Sequence, residues 1–179
     1  MNVLFIKFLL LIGLTLGLST PVFADIKPPN YDFTLASLEP FLPGGNLEKS
    51  KTDKSIQSDI FEDNGNLKII RLKLKRANYH IDVYVQIKDN KIIDMYARLP
   101  QHFIHDIFLA DLQKKYKKQD KYVQKDMNAL YVWMNRDGNN IIYQGSCSIT
   151  CFPMFIEIVS GDKTVVPLYK KFNEALPKW

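Results

Sequence analysis

From Ile70 to Lys75 the chain alternates apolar and cationic residues without a break, and that period of two limits the fold more tightly than any other feature. Ile70, Leu72 and Leu74 fall on one side, Arg71, Lys73 and Lys75 on the other, as successive side chains do along a strand. Tyr79–Ile87 repeats the pattern: Tyr79, Ile81, Val83, Val85 and Ile87 point to a core, while His80, Asp82, Tyr84 and Gln86 point away. Lys88–Lys91 between this run and the next, Ile92–Leu99, carries Asp89-Asn90, residues that tolerate the left-handed backbone a tight hairpin requires. The sequence therefore predicts a three-stranded antiparallel meander over Leu67–Leu99 with one buried and one wet face.

After Pro100 the period changes. Phe103, Ile104, Ile107, Phe108, Leu112 and Tyr116 recur at three and four, opposite Gln101, Asp106, Gln113, Lys114 and Lys117, which predicts one amphipathic helix packed on the sheet. Pro100 suits its first turn, and the lysines at 114, 115, 117 and 118 suit the negative end of its dipole. A second three-stranded set follows: Ala129–Asn135, a turn at Asp137-Gly138, Ile141–Ser146 and Met154–Val159. A short helix is expected over Val166–Leu176, with Leu168, Phe172, Ala175 and Leu176 on one side, and a short helical turn over Thr34–Phe41 places Leu35, Leu38 and Phe41 or Leu42 on the core. The fold class is thus α+β: an antiparallel sheet of two three-stranded meanders with a helix on one face, the meanders being either an α-β-β-β unit used twice or two ordinary meanders alike by coincidence. By element order alone it is similar in outline to the beta-lactamase inhibitor protein and to small outer-membrane assembly lipoproteins, a likeness that carries no function with it.

The N-terminus bears on compartment. Lys7 precedes an apolar run, Phe8–Leu18, of about eleven residues, well short of the ~20 needed to cross a bilayer. Pro21, Val22 and Ala24 follow with the spacing a signal peptidase accepts. Residues 1–24 are expected to be a cleaved signal peptide, 25–58 an extended Pro/Gly-rich lead-in, and 59–179 a single domain, periplasmic or secreted. Cleavage removes Lys7 and no acid, leaving 23 basic residues against 19 acidic ones, a mild charge of +4. An exported chain with that balance is a poor candidate for nucleic acid, and no integral membrane anchor is expected after cleavage.

In an oxidising compartment Cys147 and Cys151 are expected to pair. Four residues of extended chain advance ~13 Å, whereas bridged Cα atoms lie ~4.4–6.8 Å apart, so the chain must turn between them. Such a small loop adds on the order of 2 kcal/mol at most and chiefly fixes local geometry. The competing reading is a thiol-redox or copper-binding pair, with Met154 as a soft ligand. The spacing is similar to the Cys-x-x-x-Cys-Pro of thioredoxin-fold copper chaperones. Here Phe152 displaces the proline, and residues 153–179 contain no histidine for that fold's downstream ligand.

His102 and His105 are the candidate metal ligands. Two are too few for structural zinc, and nothing in the sequence relates His80, on an outward strand face, to them, so no metal or other cofactor is expected. Pro43–Asn46 has glycines but no phosphate-loop lysine, and Glu62-Asp63 beside Asn64-Gly65 reads as a turn. A hydrolase would need polar groups gathered from far apart, and the chain is read as non-enzymatic. The candidate binding surface is Arg71, Lys73 and Lys75 with Tyr84, extended by Tyr96, Tyr131, Trp133 and Tyr143. Its expected partner is an envelope protein or an anionic envelope component.

Overall fold

A computed structural model describes residues 33–50, 56–76, 79–100, 105–147, 151–174 and 176, with the backbone alone described at 49, 50, 147 and 151–153. The predicted leader, 1–24, lies outside these residues.

The alternating segments assemble into one eight-stranded antiparallel sheet. Strands β1 (Ile56–Asn64), β2 (Leu67–Lys75), β3 (His80–Lys88) and β4 (Lys91–Arg98) form one meander, and β5 (Lys121–Lys125), β6 (Asn128–Arg136), β7 (Asn139–Cys147) and β8 (Cys151–Ser160) form another. Their spatial order is β1-β2-β3-β4-β8-β7-β6-β5. The meanders join where β4 and β8 pair antiparallel, from Asp94 opposite Val159 to Arg98 opposite Phe155.

Each meander has four strands, not the predicted three. The additional strands, β1 and β5, are the two sheet edges, and almost all their residues are exposed. A strand without a buried face has no apolar alternation to betray it, and charges on such edges oppose pairing with other chains. Sheet therefore begins at Ile56, inside the predicted lead-in, and Glu62-Asp63 is strand. The turn lies at Gly65-Asn66, where the Gly65 amide donates to Asp63 Oδ1 at 3.0 Å.

The predicted hairpins form for the expected reason. Asp89 and Asn90 have φ of 50° and 60°, and Asp137 and Gly138 have 51° and 77°, the positive pairs that match strand twist across two-residue turns.

The first face carries the main core. Leu72, Val83, Val85, Ile81, Trp133, Tyr143 and Ile156 are buried there, beneath the turns Leu35–Ser37 and Glu39–Phe41, the short helix α1 (Leu47–Ser50) and helix α2 (His105–Tyr116). Phe33 stacks on Phe108 of α2 at 5.8 Å. The buried stripe of α2 is His105, Phe108, Leu112 and Tyr116, while Ile107, predicted inward, is 43% exposed. The second face was expected to be wet. Instead Ile69, Tyr96, Leu130, Val132, Ile142 and Phe155 are buried on it with Leu168 of helix α3 (Leu168–Lys171), and Tyr169, Phe172 and Leu176 pack against them. Both faces of the sheet thus exclude water over its middle, and the C-terminal segment provides part of the second cover.

Candidate binding groove

The site grows from one cross-strand row. On the second face Asp59, Arg71, Tyr84, Tyr96 and Glu157 oppose one another in turn across β1, β2, β3, β4 and β8. Facing side chains in such a ladder lie within contact of their neighbours. At the β1 edge the register slips between Ile60 and Glu62, leaving Phe61 as the extra residue. Such a bulge re-aims a side chain, and the Phe61 ring meets Tyr84 edge-on at 5.3 Å.

Phe172, just after α3, completes the cluster. Its ring centroid lies 4.8 Å from Tyr84, 5.0 Å from Tyr96 and 5.8 Å from Phe61. Beside this aromatic wall is a groove of about 480 Å³, lined also by His80, Asp82 and Arg98. One carboxylate oxygen of Asp82 is buried and makes no hydrogen bond among the described residues. Arg98, 68% exposed at its side chain, binds Glu174 at 2.6 Å, and Glu174 also accepts from the Tyr96 hydroxyl at 2.6 Å. Burial and that carboxylate push the Tyr96 hydroxyl pKa upward, so it stays a donor.

The C-terminal segment is held from below by two buried carboxyl groups. Asp94 Oδ2 accepts from the Leu168 amide and Glu157 Oε2 from the Tyr169 amide, each at 2.8 Å. Asp94 and Glu157 are both 0% exposed. Burial above all, and then the neighbouring carboxyl, hold Asp94 well above the usual range, and burial pushes Glu157 up to about 7.

The sequence-predicted residues fall in different places. Tyr84 stands in the groove wall. Arg71 is committed to Asp59 through Nε at 3.1 Å and Nη2 at 2.6 Å, and Lys68 pairs with Asp63 at 3.0 Å. Lys73 opposes Asp82 and Lys75 opposes His80, so Arg71 and Lys73 each have an acid across the ladder and Lys75 faces a histidine. The extended aromatic surface is corrected outright, because Tyr131, Trp133 and Tyr143 are buried on the opposite face and Tyr96 lies beneath the C-terminal segment. Trp133 Nε1 donates to the Lys117 carbonyl at 2.8 Å.

Of the two metal candidates, His105 lies among the described residues. It is buried, its Nδ1 lies 2.9 Å from the Tyr143 hydroxyl, and burial lowers its pKa, which keeps the imidazole neutral inside the core. His102 lies outside the described residues, among which no three His, Cys, Asp or Glu side chains gather to hold a metal ion. Cys147 and Cys151 are direct cross-strand partners, the last residue of β7 opposite the first of β8. Facing residues in an antiparallel pair have Cα atoms about 4.5–5.5 Å apart, within disulfide reach. Met154 Sδ lies 3.9 Å from Gln144 Nε2, a weak hydrogen bond.

Sequence reasoning missed Phe61, Asp94, Arg98, Glu157, Phe172 and Glu174. For Asp94 and Glu157 a signal existed: each is a single acid inside an apolar strand, Ile92–Tyr96 and Phe155–Val159. Such an acid is either on a wet face or buried with a partner.

Fold and site define an antiparallel sheet-dominated protein with an aromatic groove bounded by its own C-terminal segment. The chain matches no family model, no curated protein and no solved structure. Among the described residues no helix is long and apolar enough to cross a membrane.

Proposed function

We propose that this chain is an exported, non-enzymatic binding protein of the cell envelope whose ligand seats in the groove over β3 and β4. The ligand is an amphipathic small molecule or side chain. Its apolar body lies on Phe61, Tyr84 and Phe172, and its polar end meets His80, Asp82 and Arg98. The observation that carries this reading is the groove itself. At about 480 Å³ it falls within the ~300–1,000 Å³ usual for small-molecule sites, and an apolar wall with a few polar groups is their usual construction. The unpartnered oxygen of Asp82 adds a buried acceptor that a ligand donor would satisfy.

Export rests on residues 1–24, whose apolar run is too short to remain in a bilayer. The opposition of Cys147 and Cys151 across a hairpin supports a structural bridge over redox or copper chemistry. The equal four-stranded meanders, meeting at β4 and β8, support descent from a duplicated unit.

Titration with the amphipathic dye anilinonaphthalene sulfonate tests the groove. Phe61 is 51% exposed, so Phe61→Ala removes wall surface with little risk to the core. The expected result is weakening of about tenfold, ~1.4 kcal/mol, by Phe61→Ala and by Tyr84→Ala. Unchanged binding in both variants contradicts the reading.

A further inference from the structure

We infer that residues 168–174 form a strap along the groove whose hold on the sheet depends on a proton shared by Asp94 and Glu157, so that the strap releases and the groove opens as pH rises. The importance of this release for ligand binding rests on the groove being the binding site.

The geometry leaves the pair few options. One oxygen of each carboxyl is used by a strap amide, Leu168 to Asp94 and Tyr169 to Glu157. The other two, Asp94 Oδ1 and Glu157 Oε1, are buried and, among the described residues, have no partner except the opposite carboxyl. Two ionised carboxylates cannot share such a dry site without strong repulsion, so a proton joins them. The surroundings do little to replace it. From β3, Gln86 opposes Asp94 and is neutral; from β7, Ile142 opposes Glu157. From β4 comes the Tyr96 hydroxyl, directed to Glu174. The strap contributes Tyr169 and Lys170, and Lys170 favours the ionised form of Glu157 without outweighing burial. Glu174 and Arg98 are occupied with each other farther along the strap.

When the strap lifts, the carboxyls meet water and ionise in their ordinary range. The docked state binds protons more tightly than the lifted one, so the hold is complete below that range and weakens as pH rises, Glu157 giving up its proton at about 7 and Asp94 holding its own to higher pH. Phe172 and Glu174 leave with the strap. The groove thereby loses one aromatic wall, and Arg98 and the Tyr96 hydroxyl become free for a ligand.

Amide hydrogen exchange, normalised for the intrinsic effect of pH, tests this without any ligand. Protection of Leu168, Tyr169 and Phe172 should fall on the order of tenfold or more between about pH 5.5 and about pH 8, while β3 amides keep theirs. In the double variant Asp94→Asn, Glu157→Gln the drop should vanish. Equal wild-type protection at both pH values overturns the inference, as does a double variant that retains the drop. The wild-type series decides alone if the double variant fails to fold. Failure of dye binding with a normal exchange profile would remove the groove's function and leave the proton-held strap intact.

Discussion

Phe172 and Tyr84 lie with ring centroids 4.8 Å apart although 88 positions separate them in the chain, and this contact ties the C-terminal segment to the middle of the first meander. Edge-on aromatic pairs contribute roughly 0.5–1.5 kcal/mol beyond the area they bury. Phe172→Ala should therefore lower global stability by about 1–2 kcal/mol, less than a fully buried Phe would cost, because the ring is only half-buried. Urea unfolding checks the size. A loss under a few tenths of a kcal/mol would mean that the segment is not docked in solution.

Buried His105 predicts an acid limb in the stability profile. Its folded pKa is depressed by burial, so the unfolded chain takes up a proton first as pH falls below the ordinary histidine range near 6.5. Stability should drop from there downward, opposite in sign to the effect of Asp94 and Glu157. His105→Gln should flatten this limb while lowering the plateau, since the Tyr143 hydroxyl loses its present partner. Denaturant midpoints across about pH 5–8 give the answer, and an unchanged acid slope in the variant would contradict the assignment.

Lys117 follows the last turn of α2 with φ of 67°, a left-handed conformation that costs a side-chain-bearing residue and suits glycine. Lys117→Gly is expected to raise stability by about 0.5–1 kcal/mol. The Lys117 carbonyl must still receive the Trp133 indole proton. Trp133→Phe should accordingly cost about 1–3 kcal/mol, in part by leaving that carbonyl unpaired. Thermal unfolding of the two variants should shift in opposite directions.

The strands were legible where the chain has a buried face and a wet one. Ile70–Lys75 and Tyr79–Ile87 announce their orientation because only one side is apolar. At Leu130–Trp133 both sides are apolar, and no residue there states that Tyr131 and Trp133 lie under α2 while Leu130 and Val132 lie on the other face. That is why the aromatic residues were expected at the surface. Edges β1 and β5 were illegible for the opposite reason, since neither face is buried. The groove needed three distant pieces: a bulge at Phe61, the β3–β4 pair, and Phe172 from the C-terminus. Only contacts across the fold bring these together, and periodicity reports nothing beyond its own segment. The hairpin turns at Asp89-Asn90 and Asp137-Gly138, by contrast, depend on two adjacent residues and were readable.

Compartment and cysteine chemistry can be examined together. Intact mass of the protein from its native host is expected to begin at Asp25, with Cys147 and Cys151 resistant to alkylation after unfolding without reductant. Retention of residues 1–24 with both thiols reactive would contradict export and the bridge at once.

The most direct test of the central claim is amide chemical-shift mapping with anilinonaphthalene sulfonate. The account predicts saturable shifts concentrated at Phe61, at Asp82 and Tyr84 on β3, at Tyr96 and Arg98 on β4, and at Phe172. Saturable shifts confined to other surfaces, with these six amides unmoved, would contradict a binding groove at this place.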